Sequence, residues 1–278
     1  MARKRELDPL ELIRAAAAAE KQELDLARVA LALAALDHPD VTLQPYEAHL
    51  RDLAAEISAR RGKGLRASAI AALVRDIIAD QFGYAGDSKT YDDTANADMI
   101  RVIDRRRGLP VALGILYIHV ARASGARACG LNFPGHFLIA IESGGERVVI
   151  DPFNEGASLE TGDMEALRER MTGQPGDWRP GEAPPMSDRA VLMRLLNNIR
   201  TRARAAADAT RMAQVIERML MLDASDAELW FELGLGYAAT ERPGAGLKAL
   251  DQALRLERTA PWVAQAAELS RDLRRKLN

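Results

Sequence analysis

Cysteine is nearly missing from this sequence: Cys129 is the one thiol in 278 residues. That excludes an intrachain disulfide and any zinc site built on several thiolates. Histidine is scarce as well. His38, His49, His119 and His136 are scattered without metal-ligand spacing, so neither a metal nor a cofactor is expected. No run of about 18 apolar residues occurs, which excludes a membrane-spanning helix. Charge of one sign is lacking too. The net charge is -2, so no strongly basic face for nucleic acid is implied. The cluster Arg105-Arg106-Arg107 has acidic neighbours and reads as a solvated helix face. The charged start, MARKRELDPLELIRAAAAAEKQELD, has an alanine run too short and too weakly apolar for a signal peptide. Together these absences point to a cytoplasmic protein that engages neither nucleic acid nor membrane.

What is present is ordinary globular composition, 48% apolar and 28% charged, with length for one medium domain and a smaller one. Residues 9–81 read as helical. DLARVALALAALDHP is apolar nearly all round, as a buried helix ending before Pro39 should be. LQPYEAHLRDLAAEISARRG places Tyr46, Leu50, Leu53, Ala54 and Ile57 on one helical stripe. ASAIAALVRDIIADQFGY repeats the pattern, with Gly83 as its stop. A polar loop, AGDSKTYDDTANAD, then leads to a short helix, MIRVIDRRRG.

After Gly108 the pattern changes. Pro110 suits the first turn of a helix, where its missing N–H costs nothing. VALGILYIHVARASG should be a central helix ended by Gly125. Three short strands are expected next, in ARACGLNF, HFLIAIES and RVVIDPF, with Gly144-Gly145 as a hairpin turn between the last two. Residues 156–186 are loop-rich, and TGQPGDWRPGEAPPMSD reads as a linker around Trp178. Helices resume near Ser187. The expected organisation is therefore helical over 9–107, central helix and small antiparallel sheet over 108–155, linker over 156–186, and an all-α region over 187–278.

The all-α region repeats itself. VIERMLMLDASD (215–226) and ALDQALRLERTA (249–260) superpose at a shift of 34 residues, pairing Ile216 with Leu250 and Leu220 with Leu254. Trp230, Leu233, Gly234 and Tyr237 stand in W-x2-L-G-x2-Y spacing, which resembles the tetratricopeptide repeat. The resemblance spans 193–226 and 227–260, with 261–277 as a capping helix. Gly246 and Arg258 depart from it, standing where such repeats favour alanine and proline. It implies a concave groove of the kind that holds a protein partner, or else repeats that simply pack on the rest of the chain.

His136 and Asp151 are the candidate chemistry. A two-residue turn at Gly144-Gly145 pairs residues whose numbers sum to 289, so Leu138 opposes Asp151. Alternation then puts His136 on the face of Leu138, with Asp151 its diagonal neighbour within hydrogen-bond reach. An aspartate there fixes the imidazole tautomer and raises its basicity. A satisfied strand-end histidine would leave the same trace.

The succession of apolar helix, strand, His136 and Asp151-Pro152, with Arg122-Ala123-Ser124-Gly125 before it, resembles the transglutaminase-like core, a fold shared with papain-type proteases. RRRGLPVALGILY, GLNFPGHFLIAI and VVIDPFNEG, followed by the repeats, are similar over nearly the whole chain to the bacterial SirB-type proteins. The resemblance implies an α+β domain over 1–185 and a repeat tail. It puts the family's nucleophilic cysteine at Pro110, which has no atom to attack an acyl group. Cys129 is expected to be a buried, inert strand residue. His119 is expected in the core, and Ser124 lies at the wrong end of its helix for dipole activation.

Three functions stay open. In the first, a relic cleft formed by Arg107, Gly108, Pro110, Gly135, His136, Asp151 and Asn154 binds a peptide or small ligand. In the second, His136 oriented by Asp151 is a general base, and Arg105, Arg106 or Arg107 holds an anionic group. In the third, the chain is a scaffold whose working surface is the repeat groove.

Overall fold

The apolar run after Gly108 becomes the axis of the fold in a computed structural model that describes residues 8–19, 23–60, 62, 64–177 and 179–277. The charged residues 1–7 and Trp178, both used above, lie outside the described residues.

Helices α1 (Pro9–Ala18), α2 (Leu26–Ala35), α3 (Gln44–Arg60) and α4 (Ala67–Arg75) follow the expected order. α2 is apolar and buried on every side except at Arg28: Ala27, Val29, Leu31 and Leu33 are each at most 2% exposed. α4 runs on into a π-helical turn, Asp76–Gln81, and Gly83 follows at φ 72°. That left-handed conformation suits a residue without Cβ. β1 (Ala85–Gly86) and β2 (Arg107–Gly108) form a two-residue parallel pair on either side of α5 (Met99–Arg105).

α6 (Pro110–Ala123) starts with Pro110 in its first turn and buries Val111 through Ile118. Strands β3 (Arg127–Leu131), β4 (Leu138–Ser143), β5 (Glu146–Asp151) and β6 (Ala157–Leu159) form one antiparallel sheet in that order. The Gly144-Gly145 turn has φ 59° and 74°, and the β4–β5 ladder runs from Ile139↔Ile150 to Ser143↔Glu146, the register inferred from the turn. Gly130 and Ile139 face α6, and Gly114 on α6 admits the Phe137 ring, since a Cβ there would lie 2.4 Å from it.

The opposite sheet face corrects the expectation of a loop-rich linker over 156–186. That stretch contains β6 and a twelve-residue helix, α7 (Thr161–Thr172). Leu167 of α7 joins Leu131, Phe133, Leu138, Ala140 and Ala183 in a core of their own. The proline-rich segment beyond α7 is not a tether either. The Asn132 N–H donates to the Pro184 carbonyl at 3.0 Å and the Met186 N–H to the Gly130 carbonyl at 2.8 Å, which covers the free edge of β3. Prolines can take an edge position because only their carbonyls are needed there.

α8 (Asp188–Ala205) is followed by α9 (Ala209–Leu222), α10 (Ala227–Ala239), α11 (Pro243–Leu256) and α12 (Val263–Leu277). The chain divides into two compact units between Leu195 and Leu196, inside α8, and α1 from Ile13 onward groups with the second unit. Within the second unit α9 packs on α10, α10 on α11, and α11 on α12. Two glycines allow the α10–α11 approach. A Cβ on Gly234 would lie 2.6 Å from Leu250, and one on Gly246 would lie 3.3 Å from the Gly234 carbonyl. Phe231 and Trp262 stack at 4.9 Å and the Trp230 indole donates to the Ala224 carbonyl, so these aromatics serve packing.

Candidate functional site

His136 is not the first residue of a strand. It sits in a bend two residues before β4, behind a Pro134-Gly135 turn in which Gly135 takes φ 69°. Two neighbours fix this bend. The Phe137 ring is clasped between Gly114 and Gly130, where added Cβ atoms would lie 2.4 and 2.6 Å from it. The Arg194 guanidinium lies 5.8 Å over the same ring and donates to the His136 carbonyl at 2.6 Å. Arg194 also donates to the Asn132 side chain.

The inferred pair forms. His136 Nε2 lies 3.0 Å from Asp151 Oδ1, and both residues are buried, at 8% and 5% exposure. Asp151 ends β5 and caps the 3-10 turn Pro152–Asn154, its Oδ1 accepting from the Phe153 and Asn154 N–H groups. An oxygen that accepts two backbone N–H bonds is an acceptor toward the imidazole too, so Nε2 carries the hydrogen. Nδ1 then holds the lone pair, and it takes no hydrogen bond among the described residues. Chemically this is an oriented, desolvated imidazole with one nitrogen uncommitted.

Aromatic and apolar side chains surround it. The Phe153 ring stands edge-on to His136 at 6.5 Å and to Tyr91 at 5.8 Å. Gly86 of β1 meets Phe153, with no room for a Cβ, and pairs with Gly108 on its other side. By this route the start of α6 and the His136–Asp151 pair reach the same end of the sheet. A Cβ on Gly135 would lie 3.1 Å from Met171 of α7, whose side chain is exposed. Phe153, Tyr91, Met171 and Arg194 were absent from the sequence reading. Phe153 could have been found beside Asp151-Pro152. Arg194, 58 residues from His136, left no local signal.

The remaining candidates fall into two groups. Gly135 and Asn154 are exposed beside the pair, whereas Gly108 and Pro110 are buried. The start of α6 reads Leu109-Pro110-Val111-Ala112-Leu113, without hydroxyl or thiol, and the Leu109 N–H donates to the Asn96 carbonyl. The arginine cluster is not a solvated helix face. Arg105 pairs with the buried Asp87 at 3.0 Å, and Arg106, in the left-handed region at φ 56°, donates to the Tyr84 hydroxyl and the Ile103 carbonyl. Arg107 is exposed and bonds the Gly83 carbonyl. All three guanidiniums are engaged in holding β1, α5 and β2 together, which weakens their assignment to an anionic substrate.

The other titratable groups have structural settings. Hydrogen bonds from the Thr90 side chain and backbone, with Arg105 nearby, lower the Asp87 carboxyl to about 2. Burial, then the Arg106 cation, lowers His49 to about 4, with the Tyr84 hydroxyl 2.7 Å from its Nε2. His38 bonds Asp98 at 2.7 Å, and His119 bonds the Leu50 carbonyl. Burial raises the Cys129 thiol, which disfavours the reactive thiolate. Among the described residues no cluster of three or more histidine, cysteine, aspartate or glutamate side chains is placed to hold a metal. No described helix is long and apolar enough to cross a membrane.

An apolar helix on a small antiparallel sheet, with an Asp-held histidine at one end, defines a class, and residues 44–197 match the transglutaminase-like superfamily. A UPF0162 protein of Xylella fastidiosa is 31% identical over 257 residues, covering 86% of each chain. A UPF0162 protein of Vibrio cholerae is 37% identical over 75 residues, 27% of this chain and 28% of its own. The F-box only protein 21 of Mus musculus is 35% identical over 78 residues, 28% of this chain and 12% of its own. This chain belongs to the transglutaminase-like superfamily and, within it, to the bacterial UPF0162 family.

Proposed function

We propose that this chain is a transglutaminase-like protein without a nucleophile, working in the cytoplasm as a binding and regulatory module. The observation that carries the reading is the start of α6. A nucleophile there would be activated by the helix dipole and the imidazole, and the position holds a buried proline. The ligand is a peptide or protein segment that meets the Gly135 and Asn154 side of the His136–Asp151 pair. The second unit resembles tetratricopeptide repeats in the spacing of Trp230, Leu233, Gly234 and Tyr237 and in its consecutive helix pairs, as in SirB-type proteins, and it presents a groove to a protein partner. Neither role calls for a metal or a cofactor.

A second reading is favoured by one feature. Among the described residues His136 Nδ1 takes no partner while Asp151 orients the ring, as a general base on water or a substrate hydroxyl requires. Pulldown and a panel of ester and amide hydrolase assays, on wild type and His136→Gln matched for thermal stability, separate the two. The binding reading expects no turnover from either protein and weaker capture of the partner by the variant. Turnover by wild type that His136→Gln abolishes would replace it with the enzymatic reading. Equal capture and no turnover by both would remove the His136 site from either role.

A further inference from the structure

The sheet face under α7 contains a second feature, none of whose walls belongs to the His136 pair. An open cavity of about 300 Å³ is walled by Leu131, Val149, Leu159, Met164 and Ala183, with Arg147, Glu160 and Thr161 at its rim. Apolar walls with a few polar groups at the mouth, in a volume at the lower end of the ligand range, are the make-up of a small-molecule site.

Arg147 says which small molecule. Register places Arg127 opposite Glu142 and Glu142 opposite Arg147, so three charges form one row across β3, β4 and β5. Arg127 lies 3.6 Å and Arg147 3.9 Å from Glu142, so two guanidiniums share one carboxylate and one positive charge is left over. Beyond the β5 ladder, the Arg147 guanidinium makes no hydrogen bond among the described residues, and the side chain is 45% exposed. A guanidinium with its donors unused matches a carboxylate in shape and charge. The N-terminus of α7 at Thr161 adds partial positive charge at the same rim. Glu160, exposed beside it, acts in the opposite direction.

We propose that this cavity binds a small apolar carboxylate, an alkyl or aryl acid. Its chain packs between Val149, Leu159 and Met164, and its carboxylate pairs with Arg147. The site is independent of the His136 reading, so failure of either leaves the other standing.

The test is a titration of the full chain, labelled at its methionine methyl groups, with octanoate, octanol and octylamine. The Met164 resonance is identified by Met164→Leu, and Met171 reports on the His136 side. Octanoate should shift Met164 saturably and bind about tenfold more tightly than octanol, as expected for a charge-assisted pair. Arg147→Gln should bring octanoate down to the level of octanol, and Glu160→Gln should tighten octanoate alone. Ala183→Leu, which fills the cavity, should abolish both responses. The proposal falls if Met164 shows no saturable shift, or if only Met171 responds. It falls equally if octylamine binds as well as octanoate, or if Arg147→Gln leaves octanoate affinity unchanged.

Discussion

α6 and α7 lie on opposite faces of one sheet and are built in opposite ways. α6 buries Val111 through Ile118 without a break, whereas α7 buries Leu167 alone. What α7 lacks in apolar area it replaces with a clamp. The Arg168 guanidinium donates to Glu182 at 2.9 Å and to the Asp177 and Gly176 carbonyls, tying the following loop back to the helix. Burial makes α6 an element that opens only when the whole domain unfolds. α7 is the kind of element that opens locally, and it covers both the proposed carboxylate cavity and, through Met171, the Gly135 side of the histidine site.

The contrast can be broken by mutation. Leu116→Ala in α6 should cost about 4 kcal/mol by transfer and cavity terms, read by denaturant unfolding. Leu167→Ala should cost only about 2 kcal/mol, and hydrogen exchange should show the loss concentrated in residues 161–172. An equal and global loss for both would show that α7 folds as one unit with the core.

Acidification is the next largest effect. His49 is held neutral, its folded value lowered from 6.5 to about 4. Below pH 6.5 the unfolded chain takes up a proton that the folded chain refuses. Stability is therefore complete above pH 6.5 and declines as pH falls toward about 4, by roughly 2 kcal/mol after discounting for partial exposure. His49→Gln should flatten that limb of the stability–pH curve. Asp87 has the same sign lower down: its lowered carboxyl stabilises above pH 3.8, and that contribution is lost as pH approaches 2. The smallest effect is Arg168→Gln, expected to cost about 1 kcal/mol and to speed exchange in α7 while leaving α6 protected. Unchanged exchange in α7 would mean that Leu167 alone holds the helix.

The same contrast explains how much was legible in the sequence. α6 and the hairpin were readable because an unbroken apolar run and two adjacent glycines carry their own local reasons. The register, and with it the His136–Asp151 bond, followed from Gly144-Gly145. α7 was not readable, since Thr161-Gly162-Asp163-Met164-Glu165-Ala166-Leu167 shows no stripe, and prolines on its far side look like a tether. The arginines at 105–107 misled for a related reason: sequence shows charge, and the carbonyls and carboxylates that engage it come from α5, β1 and the loop between them.

By itself the sequence determined the apolar helix after Gly108, the antiparallel hairpin and the pairing of His136 with Asp151, because each depends on local periodicity or on residue chemistry. Tertiary structure alone decided that Phe137 and Arg194 lock the histidine in a bend, that Phe153 stands edge-on to it with Tyr91 behind, and that α7 roofs a cavity with Arg147 at its mouth. Those features bring together residues far apart in the chain. Burial and register create them, and no stretch of sequence carries either.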